Sequence, residues 1–195
     1  MPSENTLAAA RMVARAFERE TDEGFRSVVE AYLDTPYQSE SEEAQTLAAR
    51  GARKLQAALG AREQAADQAE WDDYLDASYA DMFLGVAPGS MVPQESVYYS
   101  ADKVTHQKPF FEVCDLMAEH GYAKPHGCVE PEDCLGLEWL FYLHLLERDA
   151  DAAASFKAAH MDNWMPQALQ TIAETDDIGY YAGMANIAQA LLADL

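Results

Sequence analysis

The apolar residues of this chain recur at helical spacing in almost every long segment, and its β-branched residues are scattered instead of alternating. No run reads as a strand, so the pattern predicts an all-α chain built as a compact multi-helix bundle. Its 195 residues fit one domain, or two tightly joined helical halves, and 49% of them are apolar, which is enough for a substantial core.

Leu7, Ala10, Ala14 and Phe17 share one face of a first helix. Asp22 is placed to cap a second, which presents Phe25, Val28, Val29 and Tyr32 before Pro36 ends it. Ser39 with Glu42 forms a candidate capping box for a third helix running to Leu59, with Gly60 just past its end and Gly51 weakening its middle. A fourth, from about Glu63 to Leu84, is acidic along Asp67, Glu70, Asp73 and Asp81 and apolar along Trp71, Tyr74, Leu75 and Met82; Gly85 stops it. Pro88, Gly89 and Pro93 then force a loop, and residues 85–108 form a candidate hinge between two halves. Pro109 opens a helix carrying Phe110, Val113, Cys114 and Met117, which Gly121 closes. Pro131 takes the first-turn position of a strongly apolar helix through Leu135, Trp139, Tyr142, Leu143 and Leu146, expected at the centre of the bundle. Further helices carry Phe156 and Ala159, start at Met165-Pro166, and run from Tyr180 to Leu195.

With 13 Lys and Arg against 34 Asp and Glu, the formal charge is −21, which repels nucleic acid phosphates and anionic lipid head groups and steers basic partners toward the surface. Cys114, Cys128 and Cys134 form neither an even set nor a Cys-x-x-Cys pair, as expected in a reducing compartment. The N-terminus lacks the basic region and apolar run of a secretory signal, and no stretch is long and apolar enough to cross a bilayer; a cytoplasmic location is expected.

Enzyme signatures are missing: there is no phosphate loop, no Gly-x-Gly-x-x-Gly, no Gly-x-Ser-x-Gly elbow and no Glu-x-x-His. His120, His126, Cys128 and Cys134 include ligand types that zinc accepts, yet their spacing matches no established module. No metal and no cofactor are assigned. His144, on the apolar central helix, reads as a core histidine.

Two motifs carry the functional reading. The first is Tyr79-Ala80-Asp81-Met82-Phe83, followed by a loop that ends Pro93-Gln94-Glu95-Ser96-Val97-Tyr98-Tyr99; the second is Glu130-Pro131-Glu132-Asp133-Cys134. Taken alone, Tyr79, Met82 and Phe83 have the spacing of a buried helical face, and Glu130 or Asp133 that of a helix cap. In this order the motifs resemble those of the TorD/DmsD-like chaperones, cytoplasmic proteins that mature molybdenum oxidoreductases. Phe156, His160, Met161, Trp164 and Pro166 extend the resemblance, which covers about the C-terminal two thirds of the chain. The family has His where Cys134 stands.

The resemblance implies a non-enzymatic chaperone that binds the twin-arginine signal peptide and the immature catalytic subunit of a molybdopterin oxidoreductase, assists cofactor insertion and delays export. On that implication Tyr79, Met82, Phe83, Pro93, Ser96, Val97, Tyr98 and Tyr99 supply an apolar surface. Glu130, Pro131, Glu132, Asp133 and Cys134 form its acidic partner, so Phe83→Ala should weaken peptide binding more than Glu132→Ala. The molybdenum cofactor belongs to the client. Alternatives are a small acidic metal-dependent helical enzyme and an adaptor for a non-redox client; the chain is expected as a monomer or homodimer.

Overall fold

The computed structural model describes residues 2–85 and 91–195, so Pro88 and Gly89 of the expected loop lie outside the described residues. Among those described, the chain forms ten α-helices and one π-helical turn, as the periodicity predicts. They are α1 (Glu4–Glu18), α2 (Glu23–Asp34), α3 (Glu42–Gln64), α4 (Gln68–Phe83), α5 (Glu95–Tyr99), α6 (Lys108–Glu119), α7 (Leu135–Leu146), α8 (Ala150–Phe156), the π-turn (Lys157–Met161), α9 (Met165–Thr175) and α10 (Tyr180–Asp194).

Helix α10 is the spine. It packs along α3, α9 and α1, while α7 packs across α1 and α8. Nearly every side chain of α7 and α10 is buried, which explains why these two stretches are apolar on all sides. The α3–α10 crossing depends on small residues: a Cβ on Gly51 would lie 2.6 Å from the Gly183 carbonyl oxygen and 2.6 Å from Ile187 Cγ1. Gly51 is therefore what allows the helices to meet, and the helix propensity it sacrifices is outweighed by packing. Gly136 does the same where α7 crosses the end of α1, with a Cβ position 2.7 Å from the Glu18 amide nitrogen.

Several boundaries differ from the sequence reading. Ser41, not Ser39, caps α3 by accepting from the Ala44 N–H. That helix continues through Gly60, because Arg62 on its last turn makes two hydrogen bonds of 2.7 and 2.8 Å to Asp72. Helix α4 begins at Gln68, where Asp67 accepts from Ala69 N. Part of the expected loop is the short helix α5, whose residues find partners outside their own segment. Pro131 lies before α7, not in its first turn, and Cys134 occupies the cap position.

Candidate functional site

Helix α4 delivers Tyr79, Met82 and Phe83 inward. Their exposures are 2%, 5% and 5%, and the Phe83 ring sits 5.8 Å from Phe17, 4.8 Å from Tyr79 and 5.3 Å from Tyr181. These three are core side chains, and Met82 and Phe83 line neither cleft described below; their shared helix face meets α1 and α10. Only the rim of Tyr79 reaches a cleft.

The two motifs nevertheless meet. Glu95 N donates to Asp133 O at 2.8 Å, and Leu135 N donates to Pro93 O at 2.9 Å, so residues 93–95 run antiparallel to 133–135. Asp133 does act as a helix cap, but for α5: its Oδ2 accepts from Ser96 N at 2.9 Å, and the residue is fully buried. Ser96 in turn accepts from Gln107 N at 3.0 Å through its hydroxyl. The Gln107 amide closes the loop after α5 by donating to Ser96 O, Ser100 Oγ and Val104 O. Cys134 is also buried, and burial pushes its thiol well above the usual range. It opens onto neither cleft described below.

Beneath α5, Glu95 Oε2 pairs with His160 Nδ1 at 2.9 Å. The extra residue of the π-turn rotates His160 into that position, a geometry that α-helical periodicity does not encode. Glu138, wholly buried on α7, accepts from Trp164 Nε1 at 3.1 Å. Burial, reinforced for Glu138 by the Glu95 charge, raises both carboxyl groups above the usual range.

Two clefts flank this junction. The first, about 490 Å³, has Tyr98, Tyr99 and Trp164 on its wall and Glu95 and His160 on its floor, with Lys108 and Glu112 at its mouth. Tyr98 packs on Trp164 with ring centroids 5.3 Å apart, and Tyr99 is 55% exposed. The second, about 300 Å³, gathers Glu18, Glu20 and Glu130 beside Leu84 and Val129, the last being 87% exposed. Burial, then repulsion by Glu18, raises the Glu130 carboxyl above the usual range. Glu132 is engaged internally, with an oxygen 3.0 Å from Lys124 Nζ.

The sequence pattern that defines the family described as nitrate reductase delta subunit matches residues 41–170, two thirds of the chain. The chain belongs to that family. Chaperone protein TorD of Vibrio cholerae serotype O1 (strain M66-2) is 29% identical over 131 residues, covering 60% of this chain and 59% of the relative. Chaperone protein TorD of Photobacterium profundum is 27% identical over 125 residues, 58% of each. The matched part thus spans about three fifths of the length of these curated relatives. A solved structure of a proposed redox enzyme maturation protein from Archaeoglobus fulgidus shares the fold, with a TM-score of 0.54 over 97% of this chain and 94% of its own at 14% identity. The TorD-like resemblance is borne out as a family membership, and the matched region begins nearer the N-terminus than the motifs suggested.

Within this family member, the structure brings together Pro93, Ser96, Asp133 and Cys134 as the joint between α5 and α7, with Val97, Tyr98 and Tyr99 on α5 itself. Glu130 stands apart on the second cleft, and Pro131 starts the turn that leads to Cys134. Sequence reasoning missed Glu18, Glu95, Gln107 and Glu138 as parts of this region. A charged residue inside an apolar helix was a signal available for Glu138; Glu18 and Gln107 offered none. Among the described residues no group of three His, Cys, Asp or Glu side chains converges as metal ligands. His126 and Cys128 share the second cleft, whereas His120 packs against Phe141 and its carbonyl oxygen faces His144 Nε2 at 3.1 Å.

Proposed function

We propose that this chain is a non-enzymatic cytoplasmic chaperone for a molybdopterin oxidoreductase, binding the twin-arginine signal peptide and the immature catalytic subunit, helping cofactor insertion and delaying export. Relatives named as TorD chaperones support the class. The observation that carries the peptide reading is the second cleft, where Glu20 and Glu130 stand beside exposed Leu84 and Val129, next to Glu18, which Arg19 of the same cleft holds at 2.9 Å. Arginine is the side chain whose forked donors suit such a cluster. An arriving guanidinium would also relieve the Glu18–Glu130 repulsion within the cleft. Tyr98 and Tyr99 would take one face of the helical apolar stretch that follows the arginines.

This assignment narrows the arginine contact from Glu130, Glu132 and Asp133 to Glu130, because Glu132 already pairs with Lys124 and Asp133 is buried. Calorimetry with a synthetic twin-arginine signal peptide tests it. Glu130→Gln should cost about 1 kcal/mol or more, about a fivefold loss of affinity, and Glu132→Gln distinctly less. Equal affinity of Glu130→Gln and the parent chain, or of the peptide with both arginines replaced by alanine, would refute the reading. Among the described residues no helix is long and apolar enough to cross a membrane.

A further inference from the structure

Both walls of the second cleft are fastened to the fold. On the α1 side, Arg15 Nη1 donates to the carbonyl oxygens of Arg19 and Glu20 at 2.9 and 3.0 Å, and its Nη2 donates to Asp22 Oδ2 at 2.8 Å, which holds the extended backbone leaving the helix. The Arg15 guanidinium is itself seated over the Phe25 ring, 4.7 Å from its centre. On the other side, Lys124 Nζ donates to the Glu130 carbonyl oxygen at 3.0 Å and pairs with Glu132, which ties down the segment carrying Val129 and Glu130. The cleft is therefore formed before any partner arrives, and side chains are the parts free to move in it.

Glu18 and Arg19, neighbours in the chain, line this cleft under opposite conditions. The Glu18 side chain is 4% exposed and cannot swing into solvent, whereas that of Arg19 is 57% exposed. A buried carboxylate needs a counter-ion, because burial removes the water that would otherwise solvate it. Arg19 serves as that counter-ion through Nε, 2.9 Å from Glu18 Oε2. A stronger arrangement is present elsewhere in the molecule, where Arg62 meets Asp72 through two parallel hydrogen bonds of 2.7 and 2.8 Å.

We propose that Arg19 stands in for a partner arginine. An incoming guanidinium takes the Glu18 carboxylate through two parallel N–H groups, and the Arg19 side chain swings into solvent while Arg15 keeps its backbone in place. Glu18 then anchors one arginine of the pair, and Glu130, with exposed Glu20 nearby, receives the other. The exchange replaces one ion pair by another, so the buried charge is never left bare. It favours arginine over lysine, whose point charge has no fork to improve on the contact already there. This deepens the peptide reading proposed above and rests on it, adding the residue that competes with the peptide.

Calorimetry of the full chain with a synthetic twin-arginine signal peptide tests the exchange. Arg19→Ala should raise affinity by about three- to tenfold, the opposite of what losing a contact does. Arg11→Ala removes the same charge about two helical turns back along α1 and should change affinity by less than about twofold. In a Glu18→Gln background the gain from Arg19→Ala should vanish. If that background does not fold, peptides with either arginine replaced by alanine take its place: the gain must persist with one and vanish with the other. An Arg19→Ala affinity that is unchanged or lower, or a gain that Arg11→Ala matches, overturns the exchange and leaves an arginine-dependent peptide reading standing. Binding that ignores both arginines overturns the two together.

Discussion

Replacing Phe83 with alanine separates a core side chain from a binding one. The ring is 95% buried against Phe17, Tyr79 and Tyr181. A buried aromatic side chain removes roughly 150–250 Å² from water, worth about 4–6 kcal/mol at about 25 cal/mol per Å². Partial relaxation around the cavity brings this near the about 3–5 kcal/mol typical of such truncations. With a urea dependence of about 2 kcal/mol per M, the unfolding midpoint should fall by about 2 M with little change in slope. Peptide affinity of the molecules that remain folded should change little, since the ring lines no open surface. A stability loss under about 1 kcal/mol, or a large loss of affinity at full stability, would refute the packing argument and restore Phe83 to the binding surface.

Gly51→Ala sets two effects against each other: helix propensity favours alanine by about 1 kcal/mol, while forcing a methyl group against the α10 backbone costs about 1–3 kcal/mol or more. The Gly183 carbonyl oxygen at 2.6 Å is backbone and cannot rotate away, so a lower melting temperature is expected, and a higher one would mean the helices separate freely. Asp133→Ala removes the acceptor of Ser96 N at 2.9 Å and should cost about 1–3 kcal/mol, with exchange protection lost first in α5. Asp72 is held below the usual carboxylate range chiefly by its hydrogen bond from Arg62, with Arg26 adding to it. Its contribution is present above the ordinary value of 3.8 and lost as pH falls through the lowered one, so Asp72→Asn should lessen the acid sensitivity seen in melts below about pH 4.

Much of the site was legible only as a set of residues. The Pro93–Tyr99 and Glu130–Cys134 motifs do converge, and Asp133 does cap a helix. The helix it caps lies 37 residues upstream in the chain, which spacing could not reveal. Glu95 and His160 are 65 residues apart, and their pairing depends on a π-turn that breaks the regular repeat. Gly51 read as a weak point because propensity is local, whereas its use lies in how closely another helix approaches.

The sequence by itself determined the helical class, the largely apolar α7 and α10, the strong negative charge and the family motifs, because periodicity, composition and short spacings are properties of the chain. Only the tertiary structure decided which motif residues are core and which face a cleft. Tyr79, Met82 and Phe83 went inward, Glu130 stayed on a cleft, and Glu138 was buried whole, accepting from Trp164 Nε1. A helix face is apolar whether it meets another helix or a ligand, and a carboxylate is acidic whether or not a lysine stands beside it. What each does follows from what the fold sets opposite it.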